Sequence, residues 1–228
     1  GVKRGSAQSW LKSAIQYIGE RIPQFWWNEN AIMQMQTNAG FFPPTHENIM
    51  KFAELIIKDM SLVDILGSWQ ANETYVLPYI NGALRIRLLE IEPFFAKHPW
   101  TRVLKGKKVL VIHPFAPLIE KQYLVRNKLF SNPEMLPDFN LRTVRAVQSI
   151  GGESNGCKDW FEALRAMEIQ MDKEPYDIAL IGCGAYGFPL AAYAKESGHQ
   201  AVHLGGALQL LFGIRGARWE DPNYNDRH

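Results

Sequence analysis

The run Asp177-Ile-Ala-Leu-Ile-Gly-Cys-Gly-Ala-Tyr-Gly187 limits what this chain can fold into more than any other stretch. Four consecutive apolar residues read as a buried strand, which breaks at Gly182. The glycines then follow as G-x-G-x-x-G, a helix is predicted over 188–197, and a second strand over 200–204. Strand, glycine turn, helix and strand in that order begin a parallel sheet. Glycines in such a turn let backbone N–H groups approach an anion, and the helix N-terminus adds partial positive charge. Gly182, Gly184, Ala185, Tyr186 and Gly187 are therefore candidates for holding a phosphate-bearing ligand. The alternative is a tight turn whose glycines only permit close packing.

A dinucleotide site also asks for Asp or Glu about 20 residues on, to bind the ribose hydroxyls. Here that position reads His203-Leu-Gly-Gly206. The missing carboxylate argues against NAD, and against SAM for the same reason. His203, Gly205 and Gly206 stay as ligand-facing candidates.

Upstream, Lys108-Val-Leu-Val-Ile-His113 is a second continuous apolar strand, and a helix is expected from 116 to about 130. Residues 141–148 alternate as a third strand. A Gly-rich turn holding Glu153 comes next, then a helix over 157–171. A last helix is expected at 207–212. Strand and helix thus alternate from about residue 106, which predicts a parallel sheet with helices on both faces. Ahead of it, Trp10, Leu11, Ala14, Ile15 and Ile18 repeat at helical spacing, and Thr45 is placed to cap a helix over 46–60. Residues 62–69 read as a short strand and turn, and 82–97 as a helix with Leu84, Ile86, Leu88, Leu89 and Ile91 on its buried side. The expected fold is α/β, a Rossmann-like mostly parallel sheet with helices on both faces and a helical N-terminal lobe. Its divisions fall at 1–60, 61–220 and a polar tail at 221–228.

Ligands of such sheets lie outside the carboxyl ends of the strands. Four ends converge there: His113-Pro114, 149–153, 182–187 and 203–206, with 64–68 as a candidate fifth. His113 is a candidate general base or phosphate ligand, or a histidine bonded to a carbonyl. Glu120 lies one turn along the next helix. Glu153 is placed for a ligand hydroxyl or a metal. Asp64, among Leu62, Val63, Ile65 and Leu66, needs a partner for its charge: a metal, an arginine or a helix N-terminus. Arg215 and Arg218 could clamp a diphosphate, with Trp219 against a base.

Composition excludes several classes. A net charge of +2 over 228 residues gives no field for nucleic acid. The two cysteines, Cys157 and Cys183, make neither a disulfide framework nor a metal motif. No apolar run approaches the roughly 18 residues of a membrane span, and the first residues lack a signal-peptide core. A cytoplasmic protein is the expectation. The aromatic-rich N-terminal stretch leaves a homo-oligomer open.

The stretch from Tyr176 to Gly206 resembles the C-terminal part of GT-D fold glycosyltransferases of bacterial surface-glycan and glycoprotein assembly. In that family a similar strand, turn and helix lead to a Gly-x-Gln-Ala strand ending in Asp-(Ile/Leu)-Gly-His, where this chain has His203-Leu-Gly-Gly206. The resemblance implies transfer of a sugar from a nucleotide-diphosphate sugar to a glycan or glycoprotein acceptor. It also implies a divalent metal, manganese or magnesium, held at an Asp-x-Glu motif. The family's Asp-Gly-Asp-Gly-Glu region falls near Val63-Asp64-Ile65-Leu66-Gly67, so Asp64 stands for its Asp and Leu66 for its Glu. A binding protein that kept the fold and lost the metal site is the second reading.

Overall fold

The computed structural model describes residues 29–80, 82–149 and 156–216. The helix expected at 10–18, Glu153, Arg218, Trp219 and the polar tail lie outside the described residues.

The chain is α/β. Strands β3 (Lys108–His113), β4 (Asn140–Arg145), β5 (Ile178–Ile181) and β6 (Gln200–His203) form one parallel sheet in the order β4-β3-β5-β6. Helix α4 (Ala116–Tyr123) joins β3 to β4, α5 (Trp160–Met171) lies between β4 and β5, and α6 (Gly187–Glu196) joins β5 to β6. Helix α7 (Leu208–Leu211) follows β6. This is the alternation expected from the sequence. Val109 through His113 are all buried, as a strand covered on both faces must be.

Alternate residues of β3 enter two cores. Leu110 and Ile112 pack with Trp160, Ala163 and Met167 of α5, with Leu190 and Ala194 of α6, and with Phe41 and Ile49. Val109 and Val111 pack with Ile119 and Tyr123 of α4 and Leu208 and Leu211 of α7. Helices therefore cover both faces. Helix α1 (Glu29–Ala39) and helix α2 (His46–Met60) add to the α5–α6 side. The Thr45 side chain accepts from the Asn48 N–H at 3.2 Å, the cap the sequence predicts for α2. Asp159 caps α5 by accepting from the Glu162 N–H at 2.8 Å. At the other end of α5, Arg142 of β4 donates to the carbonyls of Gln170, Met171 and Glu174 and closes that terminus.

Three expectations are corrected. Residues 82–97 are not one helix. Leu84–Arg87 is strand β2, Leu88–Ile91 is the short helix α3, and Pro93–Phe95 is a 3-10 turn. Leu84-Arg85-Ile86-Arg87 alternates with period two, and Pro93 stops the helix after one turn. The fifth strand end also fails to reach the sheet. β1 (Ile65–Ser68) pairs in parallel only with β2, in register Ile65 with Leu84 and Gly67 with Ile86. Helix α3 packs onto Gly67, where a Cβ would fall 2.7 Å from the Ile91 Cδ1. The predicted helix from 116 also stops early, at Tyr123. The Tyr123 hydroxyl accepts from the Phe139 N–H at 2.6 Å and donates to the Phe139 carbonyl at 2.9 Å.

No helix among the described residues is long and apolar enough to cross a membrane.

Asp59 is the one buried carboxylate among the described residues, only 3 % exposed near the end of α2. Burial pushes its pKa up to about 6, Lys58 opposes, and Glu196 of α6 and Glu168 of α5 raise it further. The folded chain thus binds this proton more tightly than the unfolded chain, whose carboxyl sits near 3.8. The stability linked to it is complete below that value and is lost as pH rises through 6. Asp59→Asn is expected to stabilise the protein by about 1–3 kcal/mol near pH 8 and to make little difference near pH 4. Urea unfolding at the two pH values measures this, and equal effects at both would contradict it.

Candidate functional site

The strand order fixes where a site can be. From β3 the chain steps outward to β4, then crosses back over β3 to β5 and continues to β6. The connections leaving β3 and β5 therefore diverge, and the carboxyl ends of these two strands are where a sheet of this topology places its ligand crevice. His113 ends β3, and Gly182 follows β5 with its N–H bonded to the Ile112 carbonyl at 2.9 Å. A Cβ on Gly182 would lie 2.9 Å from the His113 Cδ2, 2.5 Å from the Gly205 carbonyl oxygen and 3.0 Å from the Leu208 Cβ. The ends of β3, β5 and β6 thus meet at this glycine.

His113 is buried, and burial lowers its pKa to about 4. Its Nδ1 accepts the Phe115 N–H at 3.0 Å. A neutral ring that accepts at Nδ1 carries its proton on Nε2. His113 is therefore built as a hydrogen-bond donor, and the lone pair a general base would use is already engaged at Nδ1. Arg145, its register partner at the end of β4, is exposed on the same side of the sheet. The sequence did not single out Arg145. Only the pairing of β4 with β3 brings it beside the histidine.

The glycine turn is largely filled by the chain itself. Gly184 has φ +59°, a conformation that costs an L side chain about 1–2 kcal/mol, and the Ala39 carbonyl lies over it. Gly187 lies under the His203 ring, close enough that any Cβ would overlap it. The His203 Nδ1 lies 3.3 Å from the Ile181 carbonyl. Desolvation lowers the His203 pKa, and that carbonyl opposes the shift. Tyr186 is buried and stacks on Trp160 with centroids 4.9 Å apart and planes 6° apart. Its hydroxyl lies 3.2 Å from the Ser149 Oγ, which itself donates to the Gly40 carbonyl, so the tyrosine is the donor. Burial pushes the Tyr186 hydroxyl and the Cys183 thiol up to about 12 each. Neither is a nucleophile. The N–H groups of Tyr186 and Gly187 bond back to Cys183 and Gly184, and Pro189 has none. Ala185 is half-buried and Gly205, at φ +56°, turns the chain out of β6 ahead of Gly206.

Asp64 is elsewhere. Its carboxylate accepts from the Lys195 Nζ at 2.7 Å, and the same ammonium donates to the Leu62 carbonyl at 2.8 Å. Lys195 is in the last turn of α6, eight residues beyond Gly187, or about 12 Å along the helix. Asp64 is exposed, so its apolar neighbours do not bury it as the sequence suggests, and its lysine partner stands at the opposite end of α6 from the glycine turn. Glu120 is engaged as well, accepting from the Thr143 hydroxyl at 2.6 Å. Arg215 is exposed, in a stretch tied to α4 by a bond from Gln122 to the Phe212 carbonyl at 3.1 Å.

The metal implied by the resemblance does not fit these residues. Asp64 is held by Lys195, Leu66 offers no oxygen, and among the described residues no three His, Cys, Asp or Glu side chains gather as ligands.

No protein-family model, curated protein or solved structure matches this chain. The likeness to GT-D fold enzymes therefore rests on its own residues.

Two measurements check this geometry. In a histidine NMR titration, His113 is expected to stay neutral down to about pH 5, because its folded pKa lies below the free value. A midpoint near 6.5 would mean the ring is not buried as described. Gly187→Ala is expected to cost about 1–3 kcal/mol through overlap with His203, and His203→Ala to recover part of it in the double variant. Additive losses would show that the two residues do not touch.

Proposed function

We propose that this chain binds a nucleotide-diphosphate sugar, without a metal ion, in the crevice between the ends of β3 and β5. The observation that carries this reading is the placement of His113. A neutral Nε2–H donor sits at the switch point of a parallel sheet, against Gly182 and beside the exposed Arg145. A donor and a cation are what a diphosphate asks for, and neither needs a metal to act. The glycan-binding role and the nucleotide-sugar chemistry come from the resemblance, and the crevice supplies the position.

A second reading is the transferase itself, acting on a glycan or glycoprotein acceptor. His113 favours it in one respect. A pre-set N–H donor at the diphosphate would steady the charge that builds on the leaving group as the sugar departs. The acceptor's proton would then have to go to another group, since His113 is protonated at Nε2 and engaged at Nδ1.

Thermal unfolding with UDP, GDP, CDP, TDP, UDP-glucose, NAD and SAM, each with and without manganese, tests both readings. One nucleoside diphosphate and its sugar are expected to raise the midpoint equally with and without metal. At a hundredfold excess over Kd the gain is about 2.7 kcal/mol, or roughly 5–10 °C for a chain of this size. Arg145→Ala is expected to reduce the shift. Donor hydrolysis by the bound protein would select the transferase, and binding without turnover the binder. A shift only with NAD or SAM, or with nothing, would refute the proposal.

A further inference from the structure

From residue 61 to residue 92 no described residue is buried. This stretch nevertheless holds a two-stranded parallel sheet, an arrangement that ordinarily needs cover on both faces and more than two strands. Ile65 and Leu84 stand side by side across the pair, 53 % and 61 % exposed, and Trp69 at the end of β1 is 70 % exposed. Helix α3 covers only the middle of that face, at Gly67.

The two outer edges differ. β2 reads Leu84-Arg85-Ile86-Arg87, and its two exposed arginines guard it against pairing. β1 reads Ile65-Leu66-Gly67-Ser68, with no charge and no proline. The neighbouring Asp64 is neutralised by Lys195 of its own chain. The Leu84 N–H donates to the Asp64 carbonyl at 2.8 Å, so Asp64, Leu66 and Ser68 address β2. By alternation the backbone groups of Ile65 and Gly67 point out of the free edge.

We propose that this edge is a homodimer seam, in which β1 pairs antiparallel with β1 of a second copy about a two-fold axis through Leu66. The register follows from the chemistry. A two-fold axis perpendicular to the sheet sets Ile65 opposite Gly67 of the second copy, Leu66 opposite Leu66, and Gly67 opposite Ile65. The outward-facing residues then exchange backbone hydrogen bonds as an antiparallel pair requires. Each Ile65 then lies against Gly67 of the second copy, beside the Leu88 and Ile91 side chains of α3 that already cover it. The arginines stay on the outer strands, whereas a seam through β2 would set like charges across from one another. The order becomes β2-β1-β1-β2. Of the exposed apolar side chains only Ile65 lies on the strand that meets the second copy, so the apolar area the seam covers is small. The strand edges add to this, against about 800 Å² per partner in a stable dimer. The dimer is accordingly weak and concentration-dependent.

Sedimentation velocity over a wide concentration range is the test, with Ile65→Lys as the disrupting variant at an already exposed position. The wild-type chain is expected to pass from monomer to dimer, and Ile65→Lys to weaken association about tenfold or more with unchanged far-UV circular dichroism. Leu66→Cys, in a Cys157→Ala background, is expected to give a disulfide-linked dimer on oxidation. The Cα atoms of such a non-hydrogen-bonded pair lie about 4.5 Å apart, within disulfide range. A monomer at every concentration would overturn the seam. So would a dimer that Ile65→Lys leaves intact and Leu66→Cys fails to cross-link.

Discussion

The approach of three strand ends at Gly182 is the constraint on which the rest of the molecule depends. The Gly205 carbonyl and the Leu208 side chain come up to this residue from β6 and α7, and the His113 ring comes from β3. Any side chain at Gly182 would push them apart. The whole carboxyl rim would open, since the Gly182 N–H is also the last rung holding β5 to β3. Gly187 has the same role one turn later, letting α6 settle under His203. The glycine spacing that reads as a phosphate cradle is thus first a packing device. It brings His113 to the carboxyl rim by allowing close contact.

Helix α6 separates two groups of residues that the sequence places in one site. Its first turn is at the rim. Its last turn carries Lys195 and Glu196, which hold Asp64 and Lys58. Residues 62 and 64 are therefore tied to α6 at the amino-terminal end of the sheet, while the proposed site lies at the carboxyl end. A reaction that needed both Asp64 and the glycine turn would have to span the length of the helix. This geometry, together with Leu66, is why the chemistry argued for the crevice uses a neutral donor and a cation.

The larger part of the fold was legible in the sequence, and for identifiable reasons. Runs such as Val109 to Ile112 are apolar without alternation, so their burial on both faces could be read directly. Thr45 and the glycine at 182 mark a helix start and a strand end by local chemistry alone. What was not legible was pairing. Leu84, Leu88 and Ile91 fit a helical stripe while Leu84 and Ile86 fit a strand alternation, and the pairing with β1 decides between them. Arg145 became part of the candidate site because β4 runs alongside β3 in register with His113. Asp64 and Lys195 are 131 residues apart, and no local pattern announces that they meet. The tautomer of His113 was equally hidden, since it depends on a bond to the Phe115 N–H after the turn at Pro114.

That bond has a further consequence for what the crevice can recognise. A histidine that is exposed and free to protonate would attract a diphosphate as a cation near neutral pH and lose that attraction as pH rises. His113 cannot do so, because burial holds its pKa at about 4. In the proposed reading its contribution to a bound diphosphate would be an N–H that stays the same across the physiological range. The charge must then come from arginine, which does not titrate there. In the proposed reading, dividing recognition between a fixed neutral donor and a permanent cation would make ligand affinity nearly independent of the protein's protonation between about pH 5 and 9. Any pH dependence in that window would then appear with a free nucleoside diphosphate, whose terminal phosphate titrates, and not with its sugar, whose diphosphate is esterified at both ends.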